Sequence, residues 1–183
     1  MRKRLYIGLA VLPALLAASA APFSFQSGSK VWVAGTSSVR SYRCESTRVE
    51  GTAQVSSADL SSLSVSGATV TIPVSTLDCA NGTMNGHMRN ALKAAENANI
   101  RFRATDVDVS GTQAKMTGKL TIAGSTQPVS IDATVASENG QLRVRGSKQL
   151  NMTTYGVRPP SLMMGTMKVH PPVTIGFDVL LKP

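Results

Sequence analysis

Methionine and histidine supply the first candidates for chemistry in this chain. Met163, Met164 and Met167 lie within five residues, and His170 follows three positions later. Thioether sulfur and imidazole nitrogen suit Cu(I), so one hypothesis is a copper-handling protein. Methionine also adapts its shape to irregular apolar surfaces, and we prefer a flexible lid over an apolar guest. A plain exposed loop is the third interpretation, and we predict no metal site.

Candidates for catalysis are few. Asp106 and Asp108 stand two residues apart, so on a strand they would share one face and could act as an acid–base pair. A solvent-facing pair beside a turn is the commoner arrangement. The sequence contains no serine-hydrolase, zinc-protease or nucleotide-binding motif. We expect a protein that is not an enzyme, with an enzyme using His87 or the aspartate pair as an alternative.

One stretch has the periodicity of a helix. Four apolar residues between positions 81 and 98 recur at i, i+3, i+4 and i+7, namely Met88, Ala91, Leu92 and Ala95. This spacing predicts a short helix near 86–95, with Asn85 as a candidate cap. His87 and Arg89 could meet a polar or anionic head group there, or be solvated surface residues. Met88 and Leu92 would face inwards, where core packing and the lining of a cavity look alike.

Most of the remaining sequence alternates between apolar and polar residues. Period-two runs, typical of half-buried strands, occur near 100–105, 116–122, 129–135 and 173–181, with further strands in 30–57, 65–74 and 141–152. Glycine-containing turns between them favour antiparallel neighbours. The sequence therefore predicts an all-β protein of about eight strands, whose sheet packs on a partner or closes on itself. Residues 155–172 have no period and contain four prolines, which predicts a long irregular loop.

The first twenty residues have the pattern of a secretory signal peptide. Arg2, Lys3 and Arg4 precede an apolar run of 14 residues, and the Ala18–Ala20 stretch fits a cleavage site. A helix of that length rises about 21 Å, too short for a hydrocarbon core of about 30 Å. We expect cleavage after about Ala20, a single domain over 21–183, and a periplasmic or secreted protein.

Cysteine content fits an exported protein. Cys44 and Cys79 are the only two cysteines, and in an oxidising compartment they should form one disulfide. Two free thiols that bind metal are the alternative. The chain has no CxxC motif, so a dithiol redox site is not expected.

The formal net charge is +9, and the basic residues are scattered. A positive surface could attract anionic lipid or nucleic acid, although a solvated surface is the simplest interpretation. Aromatic residues make up only 4% of the chain, so base stacking is not expected and we predict no nucleic-acid partner. Transient docking on an anionic membrane and a homodimer both stay open.

Three strings of residues together resemble the YceI-like family of exported lipid-binding proteins. The first is Lys30–Val33 with Gly35–Val39, a tryptophan shortly before a serine. The second is Gly86–Asn90 followed by Ala98–Phe102. The third and most specific is the hairpin Gly118–Val129, GKLTIAGSTQPV. The matches span roughly residues 30 to 182.

This resemblance implies a lipocalin-like antiparallel barrel of about eight strands around a long apolar cavity. The cavity of the family holds an isoprenoid, such as a polyprenyl or quinone tail. Non-enzymatic lipid binding or transport is therefore expected, with the lipid as ligand and no cofactor. Besides the helix residues already named, the expected ligand contacts are Phe102, Tyr155, Met163, Met164 and Phe177.

Overall fold

Antiparallel strands account for most of the structure. The computed structural model describes residues 21–162 and 166–183, so the predicted signal peptide lies outside it. In chain order the strands are β1 (Ala21–Phe25), β2 (Lys30–Ser37), β3 (Ser41–Ser46), β4 (Glu50–Val55), β5 (Val65–Pro73), β6 (Asn99–Ser110), β7 (Gln113–Ile122), β8 (Ser125–Glu138), β9 (Gln141–Asn151), β10 (Ser161–Leu162) and β11 (Met167–Lys182). The helix α1 (Gly82–Ala91) lies between β5 and β6, and short 3-10 turns occupy Val74–Thr76 and Met152–Tyr155.

Eight of these strands close into a barrel, as predicted. Antiparallel pairing runs in the order β1-β4-β5-β6-β7-β8-β9-β11, and β11 pairs with β1 to complete the ring. The closing contacts are short: Ser24 lies opposite Lys182, and Phe25 lies opposite Leu181. A barrel of eight strands has an interior just wide enough for side chains or one small ligand.

The β2–β3 hairpin extends the sheet beyond β11 and is not part of this ring. The edge of β11 that meets β1 at one end pairs with β2 over most of its length, from Val169 to Asp178. The far edge of β3 is joined to the rest of the barrel by an isolated bridge between Glu45 and Asp78. The chain that follows β5 therefore runs along β3 and leads directly into α1.

Alternation along the strands places the apolar side chains inside. In β8 the inward residues Val129, Ile131, Ala133 and Val135 are all buried, as the period-two pattern predicts. One buried cluster includes Phe23, Val55, Leu142 and Leu181, and fills the end of the barrel near β1. A second cluster is built around Leu120, Ile131 and Tyr155.

Two boundaries differ from the sequence prediction. The helix spans Gly82–Ala91, not 86–95, because Asn81 caps it by accepting the Met84 N–H at 3.0 Å. Asn85 instead accepts the Cys79 N–H at 2.7 Å. After the helix, Lys93 takes a positive φ of 51°, which ends the helical geometry.

The other difference is at the C-terminal strand. The segment 155–172 was expected to be irregular, but β11 begins at Met167 and continues through Pro171 and Pro172. The register with β2 shifts between Val169 and Val173, so the prolines lie at an irregularity that tolerates their missing N–H groups. Within the described ranges, no helix has the length and hydropathy needed to cross a membrane.

Candidate functional site

The barrel contains an outer chamber of about 390 Å³ beneath α1. Its walls come from α1, the β2–β3 hairpin, the segment around 150–160 and β11. Apolar side chains form most of the lining, among them Leu77, Met88, Leu92, Val157, Val173 and Ile175. The volume lies within the range of about 300–1,000 Å³ that is usual for small-molecule sites.

An inner chamber of about 220 Å³ lies deeper in the barrel. Every residue that lines it is apolar or glycine, and examples are Val31, Val55, Phe102, Met116, Val144 and Phe177. The two chambers share wall residues, including Leu77, Ile100 and Ile175. They therefore adjoin, and a guest that occupied both would follow a path from the opening near α1 into a wholly apolar interior.

Polar side chains are confined to the outer chamber. They are Ser37, Arg40, Tyr42, Asn81, Thr83, His87 and Tyr155. Arg40, Asn81 and Thr83 are exposed, so the chamber reaches the surface beside them. No carboxylate is among the described lining residues. The site thus has an apolar interior and an outer zone that is polar and cationic.

Tyr42 is held in the wall by the residue opposite it. It pairs with Gly35 across the β2–β3 hairpin, and its ring lies over that glycine. A Cβ atom at Gly35 would lie 2.5 Å from the Tyr42 Oη, so any larger residue would displace the ring. Burial raises the pKa of the Tyr42 phenol, so its hydroxyl remains a neutral donor at pH 7.

Tyr155 enters the chamber from the opposite side. It ends the 3-10 turn Met152–Tyr155, whose start is capped by Asn151 through the Thr153 N–H at 3.0 Å. Gly156 follows with a φ of 70°, a left-handed conformation that favours glycine. The tyrosine is 4% exposed, and burial raises the pKa of its phenol.

The predicted disulfide Cys44–Cys79 is confirmed, and both half-cystines line the outer chamber. Cys44 is on β3 and Cys79 immediately precedes α1. The Cys79 Sγ lies 3.8 Å from the Met88 Sδ. The crosslink therefore holds one wall of the chamber next to the helix that covers it.

The structure brings together most of the ligand contacts predicted from the sequence. His87, Met88, Leu92 and Tyr155 line the outer chamber. Phe102 and Phe177 line the inner one. Their roles in binding stay predictions.

Of the other three predicted contacts, one lies outside both chambers and two fall outside the described residues. The Arg89 guanidinium donates to the Ser75 carbonyl at 3.3 Å, and Arg89 is not among the lining residues of either chamber. It follows His87 by two positions on the helix, so the two side chains cannot share a face. Met163 and Met164 lie outside the described residues.

The candidates for other chemistry are dispersed. Asp106 and Asp108 are both exposed on β6, and Asp108 pairs with Lys115 on β7. His170 is exposed, and its Nδ1 lies 2.9 Å from the Thr36 Oγ1. Across 21–162 and 166–183, no three His, Cys, Asp or Glu residues are grouped to hold a metal.

Sequence reasoning missed Arg40 and Tyr42 as lining residues. Tyr42 stands two positions before Cys44, and residues two apart on a strand share a face. Had the boundaries of β3 been known, the inward-facing cysteine would have indicated an inward-facing tyrosine. Arg40 lies in the hairpin turn, where no periodicity predicts its direction.

A closed antiparallel barrel with an apolar interior defines this chain as a lipocalin-like protein. It belongs to the YceI-like domain family, whose model matches residues 23–181. The UPF0312 protein of Pseudomonas aeruginosa strain LESB58 is 30% identical over 97 residues, which cover 49% of this chain and 51% of that protein. The chain thus spans about half the length of the curated relatives it matches.

Solved structures share the fold. Burkholderia cenocepacia BcnA superposes with a TM-score of 0.71 at 22% identity, covering 84% of this chain and 96% of that one. A polyisoprenoid binding domain from Saccharophagus degradans superposes with a TM-score of 0.69 at 13% identity, covering 90% and 98% respectively. At these identities the similarity establishes the architecture of the barrel.

Proposed function

We propose that this protein binds and carries a long apolar lipid of the isoprenoid or quinone type inside the barrel, without enzymatic turnover. The observation that supports this most directly is the wholly apolar inner chamber next to the more polar outer one. Such a path fits an amphiphile that places its tail inside and its head near the opening. The relative from Saccharophagus degradans, described as a polyisoprenoid binding domain, supports the same ligand class.

Burial of the tail would provide the affinity. One isoprene unit has five carbons, and transfer of each from water is worth about 0.8 kcal/mol, or about 4 kcal/mol per unit. Association and ordering of the chain cost part of this gain. Several units would still leave tight binding, and no covalent step is required.

We propose carriage in the periplasm or outside the cell. The leader pattern and the Cys44–Cys79 disulfide support an oxidising, exported location. Fractionation of the native host would test this: the cleaved protein should appear with periplasmic or secreted markers, and an uncleaved cytoplasmic protein would contradict it.

We also propose transient docking on anionic membranes through the turn between β2 and β3. Val39 at this turn is 65% exposed, and Arg40 follows it. The Ser38 N–H donates to the Lys168 carbonyl at 2.9 Å, which places another basic residue beside the turn. Basic residues near a membrane surface are attracted by anionic lipids. Co-sedimentation should be stronger with phosphatidylglycerol than with phosphatidylcholine vesicles, and Val39→Asp should weaken it.

The carrier function is tested by native mass spectrometry of protein purified from its own host, followed by extraction of the ligand. One long apolar molecule per chain is the expected result. Ala91→Trp should fill the outer chamber and abolish uptake of added polyprenyl lipid, because Ala91 lines it. Ala95→Trp is the matched control, since Ala95 is exposed and not among the lining residues. An empty protein that takes up no added lipid would contradict the proposal.

Copper handling is a second candidate. Met84, His87, Met88, Met152 and Met167 all line the outer chamber, and their side chains offer the ligands that Cu(I) prefers. A competition assay with a chromophoric Cu(I) chelator tests this. Replacement of the four methionines by leucine preserves the apolar volume and should abolish tight Cu(I) binding; unchanged affinity would exclude this use of the chamber.

A further inference from the structure

The outer chamber contains more hydrogen-bond donors than the protein itself uses. We infer that it selects lipids whose head is an anionic hydrogen-bond acceptor, a phosphate or carboxylate, held by Arg40, Tyr42 and Tyr155. This inference rests on the proposed lipid carriage and adds the chemical class of the head group.

The three donors have no partner within the described part of the chain. The Arg40 guanidinium makes no ion pair or side-chain hydrogen bond there, and the Tyr42 and Tyr155 hydroxyls likewise make none. All three residues line the same chamber. Both phenols are protonated at neutral pH, and burial raises the pKa of each further, so each can donate. Donors left together in a partly buried site are satisfied by water or by a ligand.

The described lining of the chamber contains no carboxylate, and the acceptors of Asn81 and Ser37 are already engaged. Thr83 and His87 offer neutral oxygen and nitrogen acceptors. The Asn81 Oδ1 accepts the Met84 N–H at 3.0 Å, as the cap of α1. The Ser37 Oγ donates to the Arg40 carbonyl at 2.9 Å and accepts the Arg40 N–H at 3.1 Å. Asp78, close in sequence to the chamber wall, accepts from Asn85 at 2.8 Å and from the Ala80 N–H at 3.0 Å. None of these groups neutralises the charge of Arg40.

This balance of charge and donors discriminates between head groups. A cationic head would meet Arg40 with no carboxylate to offset the repulsion. A quinone carbonyl could accept from a phenol, but would not use the charge of the guanidinium. A phosphate or carboxylate satisfies both, because hydrogen bonds between ionised partners are roughly twice as strong as neutral ones. Arginine also matches the geometry of these oxyanions.

The experiment compares three ligands that share one tail. Delipidated protein is titrated with geranylgeranyl phosphate, geranylgeraniol and geranylgeranylamine, and each dissociation constant is measured by calorimetry. We expect the phosphate to bind about tenfold more tightly than the alcohol, and the amine to bind most weakly. Inorganic phosphate alone should not displace the bound alcohol, because the tail supplies most of the affinity.

Single-residue variants test which side chains produce the preference for phosphate over alcohol. Arg40→Gln should weaken phosphate binding far more than alcohol binding and so remove most of the preference for phosphate. Arg158→Gln is the matched control, because Arg158 is exposed and lies outside the described lining. Tyr42→Phe and Tyr155→Phe remove only a hydroxyl, and each should weaken phosphate binding a few-fold more than alcohol binding.

Each outcome has a distinct meaning. Equal affinity for the phosphate and the alcohol, or preference for the amine, overturns the head-group inference and leaves lipid carriage intact. Equal losses in Arg40→Gln and Arg158→Gln would show that overall charge, not this site, sets the preference, and would also overturn the inference. Failure of all three ligands to bind would overturn the carrier proposal itself.

Discussion

Removal of the disulfide should destabilise the protein and loosen the opening of the outer chamber. Cys44 and Cys79 are 35 residues apart, and in the chain-entropy model a loop of that size is worth about 3–4 kcal/mol. For a chain of this length, each kcal/mol corresponds to about 2–4 °C in Tm. The variant Cys44→Ala/Cys79→Ala should therefore unfold about 10 °C below the wild type.

Removal of the disulfide should also loosen the helix α1, in addition to lowering the Tm of the whole protein. Without the crosslink, the isolated bridge still joins β3 to the segment before α1, through two backbone hydrogen bonds of 2.8 Å between Glu45 and Asp78. Amide exchange should then accelerate in Gly82–Ala91 more than in β8, whose inward residues are buried.

The assay is scanning calorimetry combined with hydrogen exchange, and reduced wild-type protein is the control that should behave like the double variant. A decrease in Tm of less than about 3 °C would refute the loop-entropy reasoning. Equal acceleration of exchange in α1 and β8 would refute the claim that the crosslink acts locally on the chamber wall.

Three further variants test the packing and charges of the barrel. Hydrogen bonds, chiefly from Arg143, lower the pKa of Asp178 to about 2. The charged carboxylate therefore stabilises the fold above about pH 4, and this contribution is lost as the pH falls towards 2. Since Arg145 is 52% exposed and screened, Asp178→Asn should cost only about 1–2 kcal/mol in urea unfolding at pH 7, and the difference should shrink towards zero near pH 2. Leu142→Ala, at a side chain that is only 2% exposed and borders the inner chamber, should cost about 2–5 kcal/mol in the same assay, and a loss below about 1 kcal/mol would contradict its place in the core. Asn81→Ala should cost about 1 kcal/mol through the lost cap, visible as faster exchange at the start of α1; unchanged exchange would contradict the capping role.

The barrel strands were predictable because each shows one apolar and one polar face. In β8 a period of two is sufficient to predict which residues are buried, and in the later half of β11 it correctly identifies Val173, Val179 and Leu181. The first half of β11 was missed because Pro171 and Pro172 interrupt that period, and the strand continues through them with a shift in its register with β2.

The helix was predicted with both ends about four residues too late, and Ala95, expected on its inner face, lies beyond its end and is exposed. Met88, Ala91 and Leu92 do line the chamber, because a periodic pattern specifies a face. The start depended on whether Asn81 or Asn85 acts as the cap, and both are good capping residues. A tertiary contact decided this, since the Asn85 side chain is engaged by Cys79 and Asp78.

The residues at the opening were beyond sequence reasoning for a different reason. Arg40 and Tyr42 belong to a hairpin that pairs with β11 more than a hundred residues later in the chain. Their position beside α1 follows from that long-range pairing and from the disulfide. Neither local propensity nor residue spacing predicts this position.

The closing contact of the barrel has a consequence for how the chain is made. β1 is synthesised before the other described strands, yet its partner on β11 includes Lys182. The chain must therefore be made as far as the end of β11 before the ring can close. Until then β1 and the last strand formed in the growing sheet each present an unpaired edge, which is a ready template for pairing with other chains. The edge of β1 therefore stays open to premature association until β11 is in place.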